Sequence, residues 1–228
     1  MFTFLRHYGK NLTCRSMKIP VWTHFYKKSV TELLTPGYRV LDVGSSLRVA
    51  GRGDIINPSY GWVKPLLEKV QYEIMDVTDT FHPDIVGDVM AMPMQDGTYD
   101  SVFCLAVLEH VPKPWKAVDE LFRVLKPGGG ALIYVPFLSP YHAMPGYYGD
   151  YFHFTDDGLR VLFEGWTDIR IVPVRGPIET LIHLLPGRLG SERMCKIGEW
   201  LDTFRKSSGK QTAGHYLMAY RPMELSRN

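Results

Sequence analysis

Residues 39–54 read RVLDVGSSLRVAGRGD. Val40, Leu41 and Val43 form a run too short for an independent helix and rich in β-branched side chains, which predicts a buried strand. Asp42 lies inside that run and Gly44 ends it. A carboxylate inside a buried strand is costly unless it is hydrogen-bonded. Glycine directly after it lets the backbone turn sharply or approach a ligand closely. A strand that stops at a glycine turn ahead of a helix is where doubly wound sheets bind nucleotide-like ligands. The rest of the chain is expected to build a pocket around this turn.

Outward from the turn, strands and helices alternate. Residues 21–34 read as a helix, with Pro20 suited to its first turn and Gly37 just past its end. Trp22, Phe25 and Tyr26 share one face of it, for core packing or for covering a ligand. Residues 47–58 are a polar, glycine-containing loop, and residues 60–70 a second helix carrying Trp62, Val63, Leu66, Leu67 and Val70. Strands follow at 71–75, ending at Asp76, at 84–89 and at 99–105. Pro114 opens a helix whose Val118, Leu121, Phe122 and Leu125 fall on one stripe, and residues 127–130, PGGG, end it. Residues 131–137 are the fifth strand, 168–174 the sixth and 216–220 the last. Thr155 is placed to cap a helix with Asp156 and Asp157 in its first turn. Pro186 and Gly187 leave 181–189 ambiguous, and 193–204 reads as a helix. This order predicts a doubly wound α/β fold: a mostly parallel seven-stranded sheet, helices on both faces and the last strand antiparallel.

The 228 residues suit one large domain, with a basic arm and helix at 1–37, a core at 38–137 and a loop-bearing C-terminal part at 138–228. A net charge of +2 argues against a general nucleic-acid binder. The charge is uneven, however. Arg6, Lys10, Arg15, Lys18, Lys27 and Lys28 all precede the first acid, Glu32. That arm fits a transit peptide, a surface for an anionic partner, or a lid. No apolar run approaches a membrane span. Cys14, Cys104 and Cys195 are scattered and odd in number, so the expected setting is a reducing, cytoplasmic compartment, with no disulfide framework and no metal cluster.

From Arg39 to Phe163 the chain resembles the class I S-adenosylmethionine-dependent methyltransferases, of the type 11 kind. The specific part is residues 88–136, where GDVMAMPMQDGTYDSVFCLAVLEHVPKPWKAVDELFRVLKPGGGALIYVP follows that family's ordered series, including the LEH turn and the E…RVLKPGG helix end. The resemblance implies S-adenosyl-L-methionine as cofactor. Asp42, Gly44, Ser45 and Ser46 would meet its methionine part, with backbone at Leu105 and Ala106. Asp76, with Val77 beside it, would hold the ribose, and Asp88, Val89 and Met90 would border the adenine. From the residues alone, Asp76 is equally a turn cap, helped by Thr78 and Thr80.

The aromatic stretch 141–155 is similar to a loop in a subset often encoded beside polysaccharide biosynthesis enzymes, which implies a sugar or glycoconjugate acceptor. Its matching residues are His142, Pro145, Asp150, Tyr151, His153 and Thr155. A proton-accepting side chain suits transfer to oxygen or nitrogen, so His142 and His153 are candidate bases, with Asp150 placed to orient one of them. His110 and Glu109 of the LEH turn are read as architectural. The departures are Ser46 and Arg48 at glycine positions of the turn, an insert GRGDIINP after it, and extra residues at 146–149. They motivate an alternative, a binding or regulatory protein that keeps the fold but transfers weakly or not at all. A third reading is an RNA or protein methyltransferase that uses the basic arm. A nicotinamide dinucleotide is disfavoured, because the turn lacks the full G-x-G-x-x-G pattern.

Overall fold

A computed structural model describes residues 19–44, 61–204 and 209–223. Its seven strands are β1 (Arg39–Val43), β2 (Gln71–Asp76), β3 (Ile85–Val86), β4 (Tyr99–Leu105), β5 (Leu125–Pro136), β6 (Thr167–Val174) and β7 (Gly214–Tyr220). They form one sheet in the order β3-β2-β1-β4-β5-β7-β6. The first five strands are parallel, and β7 runs antiparallel to both of its neighbours. The helices are α1 (Val21–Leu33), α2 (Lys64–Leu67), α3 (Pro114–Val124), α4 (Asp156–Leu162), α5 (Pro177–His183) and α6 (Glu192–Asp202). Among the described residues, no helix is long and apolar enough to cross a membrane.

The core has two layers, one on each sheet face. On one, Tyr26, Val30 and Leu33 of α1 pack with Val40, Phe103 and Leu132 of the sheet. Tyr26 lies 5.3 Å from the ring of Tyr216, so the aromatic face of α1 is used for packing. On the other, Val118 and Leu121 of α3 and Leu159 of α4 pack with Leu41, Val102 and Ile133. Burying β1, β4 and β5 on both faces requires the apolar segments that the sequence carries there, such as residues 102–105 and 131–133.

Three elements differ from the sequence expectation. The helix expected over 60–70 shrinks to the single turn of α2; Tyr60 lies outside the described residues. No side chain caps its start, and Gln71 N–H donates to the Tyr38 carbonyl at 2.8 Å, which pulls the chain into β2. Its apolar residues reach the core regardless, Val63 being fully buried. The strand expected over 84–89 stops at Val86, because Asp88 Oδ1 accepts the Met90 N–H at 2.8 Å and folds the chain into a turn. Helix α3 ends at Val124 rather than at PGGG. Leu125 already pairs with Tyr99, and the glycines then follow a register shift to Gly130 opposite Ser101.

Candidate functional site

Register aligns the strand ends. Val43 pairs with Met75 on one side and Cys104 on the other. The next residues, Gly44, Asp76 and Leu105, therefore stand in one row at the carboxyl edge of the sheet. Gly44 donates its N–H to the Met75 carbonyl at 2.8 Å, Gly87 to Asp76 at 2.9 Å and Ala106 to Tyr134 at 2.9 Å. Gly44 has φ +77°, and a Cβ there would lie 2.6 Å from Val107 Cγ2, so this position forms a cradle that a side chain would fill. Ala106 has φ +59°, which is uncommon away from glycine and stores strain where the β4 backbone leaves the sheet.

The other residues assigned from sequence sit around this row. Asp76 Oδ1 accepts the Thr78 N–H at 3.1 Å, so the turn-capping role is real; the carboxylate nevertheless remains at the strand end. Val77 is exposed and Asp88 is exposed, while Val89 is buried and Met90 packs against the core. Asp42 lies below the row, fully buried, and accepts a hydrogen bond from the Tyr72 hydroxyl. Burial, reinforced by Asp42, raises the Tyr72 pKa well above the ordinary phenol range, so the hydroxyl stays protonated as the donor. Ser45, Ser46, Arg48, the GRGDIINP insert and the basic arm lie outside the described residues.

The histidines come together one turn further on. Leu108–His110 form a short 3-10 helix directly after Val107. Tyr151 N–H donates to the Glu109 carbonyl at 2.8 Å, and Phe154 N–H to the Pro136 carbonyl at 2.8 Å, which pins the late loop across the ends of β4 and β5. Thr155 caps α4 by accepting the Gly158 N–H at 3.0 Å. Asp150 Oδ2 accepts the His142 backbone N–H at 2.9 Å and lies 3.2 Å from His142 Nδ1, while Asp150 Oδ1 lies 3.3 Å from His153 Nε2. His142, Asp150 and His153 are thus one constellation, as the sequence expects.

Glu109 and His110, read from sequence as architectural, stand beside this constellation. Glu109 is fully buried, and its Oε1 lies 3.7 Å from His142 Nε2 and 3.8 Å from His110 Nε2. The Glu109 carboxylate, helped by the Pro140 carbonyl and Asp150, pulls the His142 pKa upward against burial. Burial pushes His110 the other way, although Glu109 opposes it. Tyr148 stacks on His110 with ring centroids 4.1 Å apart, and Gly149 accepts from His110 Nδ1 at 2.7 Å. The extra residues at 146–149 are what hold His110. Arg123 was also missed: it donates to the Met92 and Met94 carbonyls, Asp96 and Glu120, which fixes the loop after Asp88, Val89 and Met90.

The model of the methyltransferase domain family matches residues 63–133. A 103-residue segment, 43% of the chain, is 32% identical to 2-methyl-6-phytyl-1,4-hydroquinone methyltransferase of Synechocystis sp. and covers 32% of that protein. A 107-residue segment, 42% of the chain, is 35% identical to sterol 24-C-methyltransferase of Schizosaccharomyces pombe and covers 27% of it. The chain thus spans about a third or less of the length of these curated relatives. Its fold is that of a SAM-dependent methyltransferase from Archaeoglobus fulgidus, with TM-score 0.54 and 16% identity over 87% of this chain and 93% of that one.

Proposed function

We propose, for a chain that belongs to the class I S-adenosylmethionine-dependent methyltransferase family, that it moves a methyl group to an oxygen or nitrogen of a small, ring-bearing molecule. The observation that carries this reading is one shared edge: the Gly44–Asp76–Leu105 row and the His142–Asp150–His153 constellation both stand at the carboxyl ends of the central strands. The glycine cradle, with its left-handed backbone and Val107 where a side chain would go, fits close approach of the cofactor's methionine part. Asp76 would hold the ribose hydroxyls, and Asp88, Val89 and Met90 would border the adenine. Asp42 would act from inside the sheet, Leu105 and Ala106 through backbone, and Ser45 and Ser46 as the continuation of the turn.

When bound, S-adenosylmethionine supplies an electrophilic methyl on a sulfonium, and it departs as a neutral thioether. The chain's own contribution is to align the acceptor in line with that methyl and keep water out. His153 takes the acceptor's proton as the new bond forms, and Asp150 orients both imidazoles. The rings of Tyr141, Tyr147 and Tyr151, all exposed beside this constellation, offer faces for a ring-bearing acceptor. A sugar, implied by the late loop, has such a ring; so do the hydroquinones and sterols for which the relatives above are named.

Calorimetric titration of the full chain with S-adenosylhomocysteine tests the cofactor half. Asp76→Ala should weaken binding about 10- to 100-fold, the worth of a charge-assisted hydrogen bond of about 1.5–3 kcal/mol. No heat with the wild type, or equal affinity in the variant, overturns the assignment. Thioether release over a panel of sugars, hydroquinones and sterols tests the acceptor half, and His153→Gln should then lower kcat with little change in KM.

A further inference from the structure

Two imidazole nitrogens and a carboxylate oxygen converge beneath the late loop. His110 Nδ1 lies 2.7 Å from the Gly149 carbonyl, so that nitrogen carries the hydrogen and donates it. His142 Nδ1 lies 3.0 Å from the Pro140 carbonyl and 3.2 Å from Asp150 Oδ2, two acceptors, so it too is the protonated nitrogen. In its neutral form each ring therefore presents a bare Nε2, and both point at the same atom, Glu109 Oε1, at 3.8 and 3.7 Å. These distances are too long for hydrogen bonds. The Glu109 side chain is 0% exposed, yet among the described residues neither of its oxygens has a hydrogen-bond partner, and neither does His110 Nε2. A buried carboxylate without partners costs several kcal/mol unless something positive sits against it.

We propose that Glu109, His110 and His142 bind one divalent first-row transition cation, of which zinc suits the donors best. Two imidazole nitrogens and a carboxylate are a borderline donor set that matches zinc rather than calcium or magnesium. Metal–ligand bonds of about 2.1 Å give a tetrahedral edge of roughly 3.4 Å, so the two spacings to Glu109 need to close by only a few tenths of an ångström, and the three ligand atoms all lie within 4.8 Å of one another. The arrangement around the rings fits as well. Metal-binding histidines commonly donate the remote N–H to a carbonyl or carboxylate, which fixes ring and tautomer, and here Gly149, Pro140 and Asp150 take those roles. Solvent reaches the cluster along His142 and His153, whose side chains are each 28% exposed. The fourth position therefore faces the mouth, and an oxygen of the acceptor fits it. An acceptor oxygen at that position rests on the transferase reading; the cation site does not. With His142 committed to the cation, His153 and Asp150 remain to receive the proton.

The test uses the full chain, stripped with a chelator and titrated with Zn2+ and with Co2+ as a spectroscopic probe. One equivalent should bind saturably, with cobalt showing the visible bands of a four-coordinate nitrogen and oxygen site that zinc then abolishes. Glu109→Gln and His142→Ala should each weaken binding by more than the about 10- to 100-fold that an outer partner alone costs. His24→Ala, on the exposed side of α1, should bind as wild type. His142 is partly exposed, so its variant carries the test if Glu109→Gln does not fold, with circular dichroism as the check. Absence of saturable binding in the wild type overturns the proposal, and so does binding that survives His142→Ala in a folded protein. S-adenosylhomocysteine titration of the same sample, with and without zinc, separates the two claims. Cofactor binding without zinc binding removes the metal site alone, and zinc binding without cofactor binding removes the transferase reading alone.

Discussion

Gly44→Ala strikes the turn on which the site is built, and two separable costs can be worked out. The first is conformational. At φ +77° an alanine sits in the left-handed region, which costs about 1–2 kcal/mol. The second is steric. The new Cβ would lie 2.6 Å from Val107 Cγ2, whereas carbon contacts settle near about 3.5–4.0 Å. Val107 must retreat by roughly 1 Å against a packed core, at an overpacking cost of about 1–3 kcal/mol. The total, about 2–5 kcal/mol, is a large share of the about 5–15 kcal/mol that holds a typical domain. Val107→Ala removes the clashing methyl. In a double-mutant cycle followed by urea unfolding, the double variant should recover the steric part and keep the conformational part. The coupling between the two sites should therefore be about 1–3 kcal/mol and favourable. Because Val107 leads straight into Leu108–His110, the single variant should also perturb the Glu109 cluster. If Gly44→Ala costs under about 1 kcal/mol, or the two changes simply add, the described turn geometry is wrong.

Tyr72→Phe removes a hydroxyl donated to the buried Asp42 carboxylate, so urea unfolding should show a loss of about 1–3 kcal/mol. Arg123→Ala releases the Met92 and Met94 carbonyls from their donor; amide exchange should quicken across residues 90–97, and S-adenosylhomocysteine should bind more weakly. Glu179, in the first turn of α5, has its pKa pushed by burial up to about 7, with Arg175 opposing. An acid whose folded pKa is raised stabilises the fold fully below its unfolded value, about 4.3, and loses that contribution as pH rises through about 7. Glu179→Gln should therefore flatten the decline in stability between pH 4.5 and 7, as read from midpoints of urea unfolding.

The strands were legible because each buried strand carries its own signal. β4 ends in an apolar run at residues 102–105, and its expected limits are the observed ones. The helix expected over 60–70 misled because its periodic apolar residues are needed by the core whether or not they are helical. Trp62, Leu66 and Val70 pack beneath α1 from a turn, a short helix and a bend. Periodicity reports which side chains are buried, and it reports helix only where the backbone can also be capped and continued. The extent of β5 was hidden for a related reason. PGGG is a stop signal for α3 in sequence, yet Gly130 leaves room beside Leu33 and Tyr220 that a Cβ would take, so the sheet runs through it.

The site was legible only where a residue type announces its own chemistry. Gly44 and Asp76 are such residues, as are the histidines of the late loop. Glu109 is not. An acid in a short turn between two apolar segments reads as a solvated or structural group, since nothing local says that two imidazoles will arrive on it. The chain makes that meeting through long-range contacts. The Tyr151 N–H on the Glu109 carbonyl and the Gly149 carbonyl on His110 join residues some forty positions apart. Spacing in sequence cannot show a convergence that the loop's own backbone bonds create. The scattered cysteines predicted no metal cluster, but a cysteine count is silent on imidazole and carboxylate donors. The donor set that the fold assembles is imidazole and carboxylate, and its most informative member is a fully buried acid to which, among the described residues, the protein offers no hydrogen bond.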